Sequence, residues 1–148
     1  MTRERTNFLS VSGFLIMVVG LMLLYLNHGL FSFSPALIVL QAVAILLMVR
    51  GRITFKARSF HLSATPTEGG LVTTGPYKYI RHPIYAAALL FCWSGVAGNW
   101  SVENALLGGL VFAGAFTRIL CEESLVRERY PEYQQYAEET KRLIPYVF

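Results

Sequence analysis

A long uncharged stretch constrains this sequence more than any other feature. Between Arg5 and Arg50 there is no Asp, Glu, Lys or Arg. Such a run is typical of membrane helices, since a helix needs about 20 mostly apolar residues to cross a ~30 Å hydrocarbon core. Phe8–Leu26 meets that length alone, and Ala36–Val49 follows after a break at Pro35. The stretch therefore predicts two membrane helices.

Two further apolar segments follow, Ile84–Ala97 and Ala105–Thr117, and each is shorter than a full span. We expect interfacial residues beside them, such as Tyr85 and Trp100, to extend both segments. The predicted fold class is an all-α integral membrane bundle of about four transmembrane helices plus a C-terminal cytoplasmic helical segment. The alternative is two full spans followed by a buried or re-entrant hairpin.

The chain is predicted to be one domain, because it contains no repeat, low-complexity tract or long linker. Residues 1–49 hold the two N-terminal helices and residues 50–148 hold the rest. The loop at residues 50–83 contains several Pro and Gly residues, so it should form turns. Beyond the fourth segment the pattern is polar and helical, and a last helix should start after Pro131 and run towards Arg142.

The basic residues predict the orientation of the helices. All 13 Lys and Arg residues lie before the first helix, between the second and third, or after the fourth. A path with four crossings places all of them on one side, which the positive-inside rule makes cytoplasmic. We therefore expect a multi-pass membrane protein, of the cell membrane if prokaryotic, with both termini in the cytoplasm. Anionic lipid headgroups account for the net charge of +4 without a nucleic acid partner.

The third and fourth segments are rich in Gly and Ala, which let membrane helices approach closely. The short connection Gly98–Asn104 predicts that these two helices are antiparallel neighbours. Their cytoplasmic ends would then be adjacent, so we expect His82 and Glu122 to lie close together.

Two polar clusters should meet at that corner: Arg81-His82-Pro83, and Arg118 with Glu122 and Glu123. Each has a plain structural explanation. A snorkelling arginine, an interfacial histidine and a helix-starting proline account for the first. In the second, Arg118 can pair with Glu122 four residues later. The acidic residues are expected at the helix C-terminus, where they would oppose the helix dipole.

Several short motifs follow one another in a distinctive order: Leu71-Val72, Gly75-x-Tyr77, Arg81-His82-Pro83-x-Tyr85, Arg118-x-x-x-Glu122-Glu123, Tyr133-x-x-Tyr136 and Ile144-Pro145. This ordered set resembles the isoprenylcysteine carboxyl methyltransferase family, and it is similar to the related membrane phospholipid N-methyltransferases. The resemblance covers the C-terminal half of the chain, while the first two helices match only as generic apolar spans.

The resemblance implies a methyltransferase that uses S-adenosylmethionine and acts on a lipidic or lipidated substrate. It assigns residues 50–148 to a cofactor-binding core. The implied cofactor-binding residues are Gly69, Gly70, Leu71, Val72, Tyr77, His82, Pro83, Ile84, Tyr85 and Glu122. Arg118 matches a basic residue on the substrate side.

The residue types suit this chemistry. The carboxylate of Glu122 can hold the cofactor's ammonium group through charge-assisted hydrogen bonds. A carboxylate acceptor needs only a positive partner, such as Arg118. An amine acceptor must first lose a proton, for which His82 and Glu123 are candidate bases. Arg118, His82 and Glu123 are therefore the candidate catalytic residues, and O- and N-methylation both remain open.

The sequence also allows other functions and predicts the kinds of partner. No metal-ligand spacing is present, and Cys92 and Cys121 are expected to be packing residues. Membrane sterol reductases have a similar C-terminal pattern, so an NADPH-dependent reductase is an alternative. A non-enzymatic membrane subunit, with the polar corner as a docking surface, is another. The expected partners are a lipid or lipidated small substrate and membrane lipids, with no nucleic acid and no obligate protein partner.

Overall fold

The computed structural model of this protein describes residues 3–55 and 70–147. Regular structure in these residues is helical, apart from one isolated bridge between Ile80 and Lys141. The elements are α1 (Arg3–Leu26), α2 (Pro35–Phe55), a 3₁₀ turn (Gly75–Lys78), α3 (Pro83–Gly98), α4 (Val102–Arg129) and α5 (Tyr133–Glu139). The predicted all-α membrane bundle is therefore confirmed.

Three helices, α1, α2 and α4, are long and apolar enough to cross a membrane. Large apolar side chains on α1 and α2 point away from the protein, including Phe8 (71% exposed) and Leu46 (64% exposed), as expected for surfaces that face lipid. The apolar helix α3 has 16 residues, which at 1.5 Å per residue give about 24 Å. The path with four crossings and cytoplasmic termini thus stays a prediction.

Small residues bring α1 and α4 into close contact. A Cβ atom on Gly13 would lie 2.8 Å from the carbonyl oxygen of Gly114, and one on Gly114 would lie 2.6 Å from the carbonyl oxygen of Gly13. The expectation that small residues serve the contact between α3 and α4 is only partly right. Gly108 does pack on Trp93 of α3, but Gly95 packs on the backbone that follows α1.

The core lies where α1, α3 and α4 meet, and α2 packs against α3 from outside. The buried core side chains are Leu24, Leu89, Cys92, Val96, Val111, Ala115, Ile119 and Leu143. On the other side of α3, Ile84 packs against Gly51 of α2. Helix α1 therefore packs mainly on α4, and α2 packs on α3. Helices α3 and α4 carry most of the polar side chains discussed below.

Helix α4 is longer than its apolar segment. It continues past Thr117 to Arg129, because the polar sequence that follows keeps a helical pattern. Glu122 and Glu123 therefore lie nearly two turns before the helix end. Our expectation that they oppose the dipole at a helix C-terminus was wrong.

The C-terminal segment folds back onto the start of α3. The amide of Arg81 donates to the carbonyl of Lys141 (2.7 Å), and the amide of His82 donates to the carbonyl of Arg142 (3.0 Å). These bonds position α5 and the segment after it over the end of the bundle where α3 begins. We call this the polar end of the bundle.

Candidate functional site at the polar end of the bundle

The first turn of α3 fixes the position of His82. Pro83 occupies the first helical position, where its missing amide costs no hydrogen bond. The backbone on the other side is held by the pairing of His82 with Arg142. The imidazole is consequently held between two acidic residues of α4. Its Nδ1 lies 3.8 Å from Oε2 of Glu122, and its Nε2 lies 3.3 Å from Oε1 of Glu123. The predicted proximity of His82 and Glu122 is confirmed.

Glu123 is the centre of a buried charged group that we call the Glu123 cluster: Arg81, His82, Glu123 and Arg142. Arg81 Nε donates to Oε1 of Glu123 (3.0 Å), and Arg142 Nη2 donates to Oε2 (3.0 Å). Only 6% of the Glu123 side chain is exposed. Hydrogen bonding to Glu123 raises the pKa of Arg142 above its usual value. A carboxylate so enclosed by cations is suited to hold its neighbours in place.

Arg81 also ties the cluster to α5. Its Nη1 donates to the carbonyl oxygen of Ala137 (2.9 Å) and to that of Thr140. The side chain of Arg81 is only 9% exposed. One guanidinium group therefore joins α4 to the C-terminal segment.

A second group, the Tyr85 triad, consists of Tyr85, Arg118 and Glu122. The hydroxyl of Tyr85 donates to Oε1 of Glu122 (2.5 Å), and Nε of Arg118 donates to the Tyr85 hydroxyl (2.6 Å). Arg118 also donates to Oε1 of Glu122 (3.1 Å), so the predicted i,i+4 pair is confirmed. The guanidinium of Arg118 lies 5.0 Å from the ring centre of Phe14 on α1, within cation–π range.

The two adjacent glutamates have different surroundings. The side chain of Glu122 is 25% exposed and that of Glu123 is 6% exposed. Successive helical residues point about 100° apart, so Glu122 faces outward while Glu123 faces the packed C-terminal segment. Glu122 is therefore the carboxylate that a ligand can reach.

Three tyrosines form the wall beside the Glu123 cluster. The Tyr136 hydroxyl donates to the carbonyl of Tyr77 (2.7 Å), and the ring of Tyr133 lies edge-on to that of Tyr136. Burial raises the pKa of Tyr77 and of Tyr136 well above the usual value, and burial together with Glu123 raises the pKa of Tyr133 to about 12. All three stay neutral near pH 7, so they offer aromatic faces and hydroxyl donors rather than bases.

The other cofactor residues named from sequence are Gly69, Gly70, Leu71, Val72 and Ile84. Gly69 lies outside the described residues. Gly70 is exposed with a φ of 80°, and it precedes Leu71 and Val72 in chain without regular structure. Ile84, assigned to the cofactor by resemblance, packs against Gly51 of α2, and its role stays a prediction.

Three residues that contact the site were not predicted as site residues: Arg81, Arg142 and Phe14. Arg81 belongs to a motif that was noticed, and its role as a partner of Glu123 needed the fold. Arg142 and Phe14 carry no local signal, because each reaches the site only through tertiary packing.

An apolar groove of about 810 Å³ opens beside the polar groups. Its lining comes from α2, the segment before α3, α3, α4 and the C-terminal segment. Its lining residues are Leu47, Pro76, Tyr79, Ile80, Ala86, Leu89, Leu90, Trp93, Phe112, Leu143, Ile144 and Pro145. Ala86 follows Tyr85 of the triad, and Leu143 follows Arg142 of the Glu123 cluster. The groove and the polar groups therefore share the first turn of α3 and the C-terminal segment as walls.

Metal-ligating side chains do not converge in the described part of the chain. Within residues 3–55 and 70–147, no group of three or more His, Cys, Asp or Glu side chains has the arrangement of a metal site. Cys92 and Cys121 are both buried and unoxidised there.

Comparison with known proteins identifies a family. A family model described as phospholipid methyltransferase matches residues 33–133. The chain is 30% identical over 117 residues to the cobalt-zinc-cadmium resistance protein CzcN of Cupriavidus metallidurans, covering 76% of this chain and 50% of that protein. It is 33% identical over 76 residues to the nickel-cobalt-cadmium resistance protein NccN of Alcaligenes xylosoxydans xylosoxydans, covering 51% and 36%. The chain thus spans half or less of the length of these relatives. No solved structure matches it significantly.

Proposed function

The chain belongs to the phospholipid methyltransferase family, and on that premise we propose that it is an integral-membrane enzyme that uses S-adenosylmethionine. We further propose that it methylates a lipidic or lipidated substrate, as isoprenylcysteine carboxyl methyltransferases do. The observation that carries this proposal is the Tyr85 triad, which presents a reachable carboxylate beside a guanidinium at the polar end of a membrane bundle.

Glu122 is proposed to hold the ammonium group of the cofactor. It is the more exposed of the two adjacent glutamates, and the Tyr85 hydroxyl and Arg118 orient it through Oε1. Its Oε2 lies 3.8 Å from Nδ1 of His82, which is beyond hydrogen-bond distance. A carboxylate oriented in this way loses little conformational freedom when it accepts charge-assisted hydrogen bonds. The site therefore fits a cationic ligand group.

The aromatic wall fits the rest of that cofactor. Tyr77 is buried beside Phe55, with their ring centres 5.5 Å apart, and Tyr136 holds the Tyr77 backbone in place. Aromatic faces bind flat heterocycles and attract cations such as a sulfonium. When bound, S-adenosylmethionine supplies an activated methyl group.

Arg118 is proposed to face the methyl acceptor. It lies between Tyr85 and Phe14, and only 8% of its side chain is exposed. A buried guanidinium attracts and orients an anionic oxygen strongly, because solvent screens it little. A carboxylate acceptor held by Arg118 needs no base to become nucleophilic.

The apolar groove supports a lipidic acceptor. Its lining is almost wholly apolar, and it lies on membrane helices whose outer surfaces are also apolar. A lipid tail can enter such a groove from the bilayer without losing apolar surroundings, because the hydrocarbon core is as apolar as the groove lining. A tail in the groove would hold the polar head near the triad, because both share the first turn of α3.

The chain's own residues would act mainly by alignment and exclusion of water. Methyl transfer is a displacement in which the attacking atom must lie in line with the leaving sulfur, so correct placement lowers the barrier substantially. Glu123 is proposed to be a positioning residue, since Arg81, Arg142 and His82 already occupy its oxygens. It holds His82 against the site.

Phospholipid N-methylation is the second candidate, and one specific observation favours it. His82 is placed between Glu122 and Glu123, at 3.8 Å and 3.3 Å. A histidine held on one nitrogen by a carboxylate can accept a proton at the other. That arrangement is what an ammonium headgroup would need before it could attack.

Methyl transfer from radiolabelled S-adenosylmethionine tests this proposal. Purified protein is incubated separately with phosphatidylethanolamine vesicles and with an S-prenylated N-acetylcysteine, beside the Glu122→Ala variant. Label that alkali releases as volatile methanol indicates a methyl ester, while label that stays non-volatile after alkali indicates N-methylation. Methyl transfer by the wild-type protein, but not by the Glu122→Ala variant, supports the proposal. The absence of transfer to both acceptors would count against it.

A further inference from the structure

Two buried polar atoms on α1 have no hydrogen-bond partner among the described residues. They are the side-chain oxygens Oδ1 of Asn7 and Oγ of Ser10. Ser10 is completely buried. Buried polar groups are nearly always hydrogen-bonded, since an unpaired group loses its water without replacement. Two such atoms on neighbouring turns of one membrane helix therefore call for an explanation.

These atoms lie on the face of α1 that points towards the Tyr85 triad. Asn7, Ser10 and Phe14 are spaced i, i+3 and i+7, so they share one face of the helix. Phe14 on this face covers the guanidinium of Arg118 at 5.0 Å. The unpaired oxygens thus continue the stripe that contacts the proposed acceptor-binding arginine.

The register of α1 against α4 places them beside the same turns. A Cβ atom on Gly13 would lie 3.4 Å from the amide nitrogen of Arg118. One turn earlier, Leu9 packs against Cys121 and Leu125. Since the two helices run in opposite directions, Ser10 faces the turn of α4 that follows Arg118. Asn7 lies one turn further along.

The position of α1 relative to the family match suggests a role for these α1 residues in selecting the acceptor. The match to the family model begins at residue 33, so α1 lies outside the matched region. A helix outside that region that contacts the acceptor side is suited to select the acceptor. Glu122 and Tyr77, both proposed above to contact the cofactor, lie inside the matched region.

We propose that Asn7 and Ser10 form an acceptor-binding subsite, which holds a polar head bearing an N–H or O–H donor beside Arg118. The inference rests on the proposed function. Asn7 Oδ1 accepts the donor, and the Ser10 hydroxyl both accepts and donates. The subsite selects heads that carry a donor, such as a primary amine or an amide, over heads that carry none.

Binding of defined amphiphiles tests the subsite. The dissociation constants of phosphatidylethanolamine and of an S-prenylated N-acetylcysteine are measured for wild-type, Ser10→Ala and Asn7→Leu proteins. Phosphatidylcholine, whose headgroup has no N–H, serves as the ligand control. Ser12→Ala, elsewhere on α1, serves as the matched variant. Each titration is run with and without S-adenosylhomocysteine.

We expect the better-bound donor-bearing amphiphile to lose about tenfold in affinity in Ser10→Ala and Asn7→Leu, equivalent to about 1.4 kcal/mol. The affinity for S-adenosylhomocysteine should stay within about twofold, since hydrogen bonds at separate sites act independently. Ser12→Ala should leave both affinities unchanged, and phosphatidylcholine should not distinguish the variants.

Unchanged affinity of both donor-bearing amphiphiles for the folded variants would overturn the subsite. A gain in melting temperature without a change in binding would show that the two oxygens are only a packing defect. Failure of the wild-type protein to bind either amphiphile would overturn it as well. Failure of the protein to bind S-adenosylhomocysteine would instead overturn the proposed function. The amphiphile titrations run without S-adenosylhomocysteine would still decide whether Asn7 and Ser10 form a subsite.

Discussion

The Nε2 atom of His82 lies 3.3 Å from Oε1 of Glu123, although 41 positions separate the two residues in the chain. This contact joins the N-terminus of α3 to the last two turns of α4. Arg142 donates to the same carboxylate from the C-terminal segment. Three distant parts of the sequence therefore meet at one buried group, with the more exposed Glu122 beside it.

Replacement of Glu122 should remove cofactor binding. We expect Glu122→Ala to lose affinity for S-adenosylhomocysteine by at least about tenfold, because a charge-assisted hydrogen bond contributes about 1.5–3 kcal/mol. Isothermal titration of the detergent-purified variant measures this. Glu128→Ala, an exposed acidic position on the same helix, is the control. Wild-type affinity in folded Glu122→Ala would remove Glu122 from the cofactor site.

Replacement of Arg118 should affect turnover more than cofactor affinity. We expect Arg118→Ala to lower kcat at least about tenfold, or about 1.4 kcal/mol of transition-state stabilisation. Arg118→Lys should recover only part of it, because an ammonium cannot reproduce the planar guanidinium. Steady-state rates with the labelled cofactor, together with its dissociation constant, measure the difference. An unchanged rate would contradict the acceptor-side role.

Loss of Arg142 should loosen the C-terminal segment. Because its side chain is 32% exposed, we expect Arg142→Ala to cost only about 1 kcal/mol of stability after solvent screening. Hydrogen exchange should nevertheless rise at the amides of Arg81 and His82, which bond to the carbonyls of this segment. Lys141→Ala, whose side chain is exposed, is the control. Unchanged exchange at both amides would show that the side chain of Arg142 does not hold the segment.

The fold was largely predictable from the sequence. The uncharged stretch and the apolar segments located α1, α2, α3 and α4, because burial in lipid demands long apolar runs. The short connection between α3 and α4 correctly predicted that His82 lies near Glu122. The helical pattern beyond the fourth apolar segment was predicted, but not that it continues α4 without a break from Val102 to Arg129.

The site was predictable only where its residues stand in local motifs. Glu122, Tyr85 and Arg118 were named together and do meet. The contribution of Phe14 was not visible, since only the close packing of α1 on α4 brings its ring to Arg118. The same holds for Arg142, which reaches Glu123 because the C-terminal segment folds back.

The glycine contact between α1 and α4 should tolerate no added methyl group. We expect Gly114→Ala to destabilise the protein by about 1–3 kcal/mol, because overpacking forces a tightly packed backbone apart. Gly109→Ala is the matched control on the same helix, since its Cβ would meet nothing within 4 Å. It should be neutral or stabilising by up to about 1 kcal/mol. Thermal unfolding in detergent compares the two variants, and equal melting temperatures would contradict the close contact.

The thermal shift with S-adenosylhomocysteine tests the central claim most directly, with NADPH measured in parallel. A ligand that binds only the folded state raises the melting temperature. We predict a rise with S-adenosylhomocysteine that is lost in Glu122→Ala, and no rise with NADPH. A rise with NADPH alone would indicate a reductase and contradict the account. No rise with either ligand, in well-folded protein, would contradict it in favour of a non-enzymatic membrane subunit.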